Sequence, residues 1–263
     1  GLSFNAFVIH LTPVIIVVMA VQALMTHMVW GRELKSTPER MQGVMSMRAI
    51  ETIEDWTLLK QSVVVLAAVI LAFIFARQLH LEPATIAMSG AAILMLLDNY
   101  QHHAEKQAEN VHRTFTDVEW ITIFFFVGLF VVVHGVEVGG LLKLLADKLV
   151  AATGGDMARA GYAILWASAI LSAIVDNIPF VATMIPLIKS MAPAYGGEAA
   201  IMPLWWCLSL GACLGGNGTL IGASANVTVT GLAEKDGKRI SFGEFTAFGA
   251  RVTAITLAMS SVY

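Results

Sequence analysis

Asp176-Asn177-Ile178-Pro179-Phe180 and Gly215-Gly216-Asn217-Gly218-Thr219-Leu220-Ile221-Gly222-Ala223-Ser224-Ala225-Asn226 each interrupt a long apolar run. Carboxylates, amides and hydroxyls are costly in hydrocarbon because lipid offers their polar atoms no partner. Irregular backbone survives at membrane depth only where it is buried in protein or lines a cavity, and an acid there signals a functional site. The two stretches therefore read as parts of one substrate or ion site in a transporter.

The flanks support this reading. A straight helix over 161–191 would place Asp176, Asn177 and Pro179 near the bilayer centre, so two half-helices meeting at a re-entrant tip fit better. Residues 203–231 read as a broken helix, with Gly215, Gly216, Gly218 and Gly222 permitting the break as Pro179 does in the hairpin. Toward the N-terminus the spacing predicts spans over 61–76, 83–97 and 119–134, and toward the C-terminus a final span over 242–263. Leu141 to Val150 carries Lys143, Asp147 and Lys148 among leucines and reads as an amphipathic interfacial helix, followed by a turn over Ala151 to Asp156. The expected fold is an all-α polytopic membrane protein.

Composition agrees. Of 263 residues 57% are hydrophobic and 13% charged, against roughly 25% charged in a soluble domain. The net charge of −3 presents no basic face for nucleic acid. Cys207 and Cys213 lack metal or redox spacing, so no metal site and no cofactor is expected. No nucleophile–base pairing, zinc motif or phosphate-binding loop occurs, which argues against an enzyme. The loops containing Arg32, Lys35, Arg40 and Arg48 (31–59), His102, His103 and His112 (98–117), and Lys235, Lys238 and Arg239 (234–239) hold most of the basic residues and read as cytoplasmic. The histidines read as belonging to a solvated loop, not a metal site.

Asp176 is the first candidate for ion chemistry, since a carboxylate at a re-entrant tip can exchange a proton for a hard cation. Its plainer role is to accept hydrogen bonds from hairpin amides. Asn177, Asn217, Thr219, Ser224 and Asn226 offer oxygens and N–H donors for a cation or a hydroxylated solute, or caps for the broken helix ends. Glu119 and Glu137 flank an apolar span as proton-relay candidates or interfacial anchors. His134 reads as a core or interface histidine, and Arg251 as partner to an acid elsewhere or as a snorkelling residue.

These two motifs, with Val118-Glu119-Trp120 and Ala182-Thr183-Met184-Ile185-Pro186, resemble the ion transporter superfamily. The resemblance is to the citrate transporter-like group that includes the arsenite pump membrane subunit, a sodium/proton antiporter and the mammalian P protein. It implies two inverted repeats, each with a hairpin and a broken helix. By that pattern 1–30 is the last helix of the first repeat, 31–59 a cytoplasmic loop and 60–263 the second repeat. The N-terminal half is expected to lie outside this sequence, whose ends read as cuts through a longer protein. Trp205-Trp206 and the loop His102 to His112 resemble the magnetosome member of the group, implying proton export from that organelle.

The implied function is secondary active transport: cation/proton antiport carrying H⁺ and Na⁺, with Asp176 at the tip. The alternatives are arsenite efflux, citrate or other organic anion transport, and a non-transporting membrane scaffold. Expected partners are the lipid bilayer, the N-terminal half, a small ion or solute and a second copy of the chain. The expected location is a bacterial inner membrane or a magnetosome membrane.

Overall fold

The computed structural model describes residues 2–31, 37–46, 53, 55–100, 102–235 and 237–263. Arg32, Lys35 and Arg48 of the predicted cytoplasmic loop lie outside the described residues. Among the described residues all regular structure is helical. Contacts divide the chain into two compact units, residues 1–119 and 120–263.

The first unit holds α1 (Phe4–Trp30), α2 (Pro38–Ser46), α3 (Trp56–Ile74), α4 (Ala76–Leu79), α5 (Pro83–Asn99) and α6 (Ala104–Thr116). Asp55 starts α3 by accepting from the N–H groups of Thr57 and Leu58 at 2.7 and 3.0 Å, which satisfies two of the orphan donors of a helix start. α3 packs on α5 where Gly90 meets Val69, and Asn5 of α1 donates to the Ile74 carbonyl at the end of α3. α3 nonetheless has no buried residue, as expected of a helix whose apolar faces meet lipid.

The predicted loop over 98–117 proves to be mostly helix. Ala104-Glu105-Lys106-Gln107-Ala108-Glu109 are strong helix formers, and Gln107 ties α6 to the end of α5 by donating to the carbonyls of Asn99 and His102 at 3.0 and 2.8 Å.

The second unit holds α7 (Trp120–Val138), α8 (Leu141–Thr153), α9 (Met157–Ser172), α10 (Asn177–Met191), α11 (Met202–Gly215), α12 (Ser224–Lys235) and α13 (Phe242–Ser260). α7 runs past the expected end of its span, through His134 and Glu137, and stops before Gly140, whose φ of 77° suits only glycine. α8 continues to Thr153, so the turn expected over 151–156 begins at Gly154. α8 also packs on α10 through a buried face containing Leu142 and Ala146, so one side of this amphipathic helix meets protein.

α9 and α11 form the spine of this unit. They run parallel with a constant sequence offset. Gly161 lies against Cys207, Leu165 against Gly211, Ala169 against Gly215, and Ala173 accepts a hydrogen bond from Thr219, 46 residues on. Gly211 and Gly215 form a small-xxx-small stripe of the kind that lets helix backbones touch within a membrane. A β-carbon at Gly215 would sit 2.4 Å from the Ala169 carbonyl oxygen, and one at Gly211 would sit 2.4 Å from that of Leu165. Ser172 adds a buried hydrogen bond to the Ala212 carbonyl at 2.7 Å. Ile164, Phe180, Ile188, Met191, Leu204 and Leu208 close the core where α9, α10 and α11 meet.

Among the described residues four helices or helix continuations, Phe4–Val29, Trp56–Ile74, Trp120–Val138 and Asn177–Tyr195, are long and apolar enough to cross a membrane. α9 and α11, with 16 and 14 residues, are roughly 24 and 21 Å long at 1.5 Å per residue, short of a hydrocarbon core of about 30 Å. Helices this short end their polar termini at depth unless other groups satisfy them.

The glycine contact should dominate stability. Gly215→Ala drives its methyl into immobile backbone and is expected to destabilise the second unit by about 1–3 kcal/mol, the range for overpacking. Gly161→Ala meets only the Cys207 sulfur at 3.2 Å and should cost less. Thermal melts of the full-length protein in detergent test the order, and equal melting temperatures for the two variants would refute it.

Candidate ion site at the hairpin tip and the helix break

Asp176 ends the turn between α9 and α10. It is partly exposed, and its side chain accepts from the Ile178 N–H at 3.1 Å, making it the N-cap of α10. Asn177 and Pro179 follow within the first helical turn, where proline costs no hydrogen bond. Pro179 therefore marks the start of an arm and does not kink one.

The break falls between α11 and α12, with one short 3₁₀ turn over Leu220–Gly222. None of Gly215, Gly216, Gly218 and Gly222 has positive φ. Close backbone approach explains them instead. A β-carbon at Gly222 would lie 2.7 Å from the Gly216 carbonyl oxygen, and one at Gly218 would lie 3.1 Å from the Ala173 β-carbon. The break is pinched shut on itself and pressed onto the end of α9.

Two polar side chains hold it there. The Thr219 hydroxyl donates to the Ala173 carbonyl, the C-cap of α9 and three positions before Asp176. The Asn226 amide donates to the carbonyls of Gly216 and Thr219 at 2.9 and 3.0 Å. From α13, Thr253 donates to the Leu214 carbonyl at 3.3 Å, and a β-carbon at Gly249 would lie 2.3 Å from the Asn217 carbonyl oxygen. These contacts answer the free carbonyls that a helix stopping inside a membrane leaves behind.

Thr219 and Asn226 are thus brought together with the hairpin turn, at one end of the α9–α11 pair. Asn217 and Ser224 are exposed on the same break, and Asn177 is partly exposed beside Asp176. Among the described residues the side chains of Asn177, Asn217 and Ser224 make no hydrogen bond. Thr253 and Gly249, which help shape the site, escaped the sequence reading. Their signal was a helical face of small and hydroxylated residues, Gly249, Thr253 and Thr256, on an otherwise ordinary apolar segment.

The relay candidates lie elsewhere. Glu137 sits in the last turn of α7, half exposed and 3.5 Å from His134, whereas Glu119 precedes the helix and is exposed. Glu119 directly precedes α7 and Glu137 is its last residue but one, so the helix holds the two at its opposite ends. Arg251 is exposed on α13. Among the described residues no group of three or more His, Cys, Asp or Glu could hold a metal ion.

The profile of the citrate transporter family matches residues 1–211. An uncharacterized transporter of Mycobacterium tuberculosis is 37% identical over 263 residues, covering 100% of this chain and 59% of the relative. A 46 kDa membrane protein of Mycobacterium leprae is 36% identical with the same coverage. The P protein of Mus musculus is 40% identical over 220 residues, 80% of this chain and 25% of the relative. The chain thus spans 59% of the length of the mycobacterial relatives. No solved structure matches it. The two mycobacterial relatives are named as a transporter and as a membrane protein, and the match over most of its length shows that the chain belongs to the citrate transporter family.

Proposed function

We propose that the whole protein is a secondary active membrane transporter that exchanges protons for a monovalent cation, with Na⁺ the first candidate, where the hairpin turn meets the helix break. One observation carries this reading. The Thr219 hydroxyl hydrogen goes to the Ala173 carbonyl, and the Asn226 amide hydrogens go to the carbonyls of Gly216 and Thr219. What these side chains retain for a ligand is oxygen lone pairs.

Oxygen acceptors beside a carboxylate suit a hard cation and repel an anion. Asp176 also occupies the N-terminus of α10, the place where an anionic ligand would otherwise dock. A carboxylate that binds either a proton or a cation couples the two fluxes, because it does not hold both at once. Alternating exposure of the turn to the two sides of the membrane then completes the cycle. In a bacterial inner membrane this exchange trades one ion gradient for another, and in a magnetosome membrane it would remove protons released as magnetite forms.

A second reading, carriage of an organic anion such as citrate, is favoured by the family's description and by the uncommitted donors of Asn177, Asn217 and Ser224. A neutral hydroxylated solute such as arsenite would use the same groups.

The full-length protein in everted vesicles, energised acid inside, separates these readings. Asn caps helices as well as Asp, so Asp176→Asn should fold normally yet slow Na⁺-driven collapse of the pH gradient by about tenfold or more. Collapse at the wild-type rate in that variant sinks the cation reading, and citrate or arsenite uptake by the wild type then decides between the other two. Normal protein level with no transport phenotype in either assay would favour a scaffold.

Thr219→Val removes an oxygen and the tie to Ala173, whereas Thr219→Ser keeps both. The expected outcome is an apparent KM for Na⁺ raised about tenfold, equivalent to 1.4 kcal/mol of binding, in the Val variant and near wild type in the Ser variant. Equal values would remove Thr219 from the site.

A further inference from the structure

One cleft in the second unit is assigned no role by the site described above. It has a volume of about 370 Å³ and lies between α12 and the start of α13, bounded by Leu220 at one end and by Glu234 and Arg239 at the other. Val227, Gly231 and Glu234 fall on one face of α12, spaced four and three residues apart, so the cleft follows that helix from the break to the charged loop. From Val227 to Glu234 this path is roughly 11 Å long at about 1.5 Å per residue. At its outer end Glu234 and Arg239 form a loose, exposed pair at 3.8 Å.

We infer that the α12–α13 cleft is the access route by which the partly hydrated cation reaches the helix break. The inference rests on the cation-exchange reading for the identity of its passenger, but the route itself is tested separately. Glu234 and Arg239 at the mouth hold each other only loosely, so Glu234 is free to exchange partners. The volume holds an ion with several waters, and the lining hydroxyls can replace water one at a time.

The test uses the full-length protein with Cys207 and Cys213 replaced by Ser. A β-carbon at Gly231 meets nothing within 4 Å, so Gly231→Cys places a thiol in the cleft without a clash. Modification by a charged, membrane-impermeant methanethiosulfonate, followed by mass, should cut Na⁺-driven gradient collapse at least about tenfold relative to the unmodified variant. Complete modification with Na⁺ exchange unchanged overturns the route while leaving the cation reading standing. If the wild type collapses no gradient with any cation but takes up citrate, and modification blocks that uptake, the cation reading fails and the route stands.

Discussion

Everything in the second unit depends on two helix backbones being allowed to touch. The 46-residue offset that pairs Gly161 with Cys207, Leu165 with Gly211 and Ala169 with Gly215 continues one step further, to Ala173 and Thr219. That last step is where the helices end and the chemistry begins. Had α9 and α11 been held apart by ordinary side chains at a typical 8–10 Å between axes, Thr219 could not reach the Ala173 carbonyl. The break would then be tied to nothing, and four carbonyls at the end of each short helix would face hydrocarbon.

The fold was legible in the sequence to the extent that it followed from hydropathy. The helices of the expected span, hairpin and broken-helix segments lie close to the apolar runs and their interruptions, with ends displaced by a few residues. The misplaced parts have local causes. α6 was read as loop because its charges and histidines hide a run of good helix formers, and α7 was cut short because His134 and Glu137 look like an ending. On a helix face they are tolerated, paired with each other at half exposure or more, and the stop comes only at Gly140.

The site was legible in its residue types and less so in its geometry. Asp176, Thr219 and Asn226 stand out because polar groups are rare in such sequence, but their partners are backbone groups, an N–H for Asp176 and carbonyls for Thr219 and Asn226, which no residue type reveals. Glycines were read as conformational permission, whereas at Gly215, Gly216 and Gly222 the φ angles are ordinary and space is what each provides. A sequence marks where glycine occurs, and only packing tells which of its two uses applies. Gly249 and Thr253 were missed for a related reason: α13 reads as a plain apolar span unless the break it covers is already known.

Capping and ligand binding are usually weighed as rival roles for groups such as these, yet here one role sets the terms of the other. A helix that stops in a membrane exposes acceptors at its C-terminal end, and the nearby side chains answer with their donors. Once Thr219 and Asn226 have done so, only oxygen remains to face a ligand, and the carboxylate at the start of α10 adds a third acceptor-bearing group. On the proposed cation reading, the same structural need that anchors the break biases the site toward cations. An anion carrier built on this scaffold would have to draw on Asn177, Asn217 and Ser224, whose side chains the fold leaves uncommitted, and would have to work against Asp176. On that reading the polarity of the site follows from how the backbone was satisfied, before any substrate is considered.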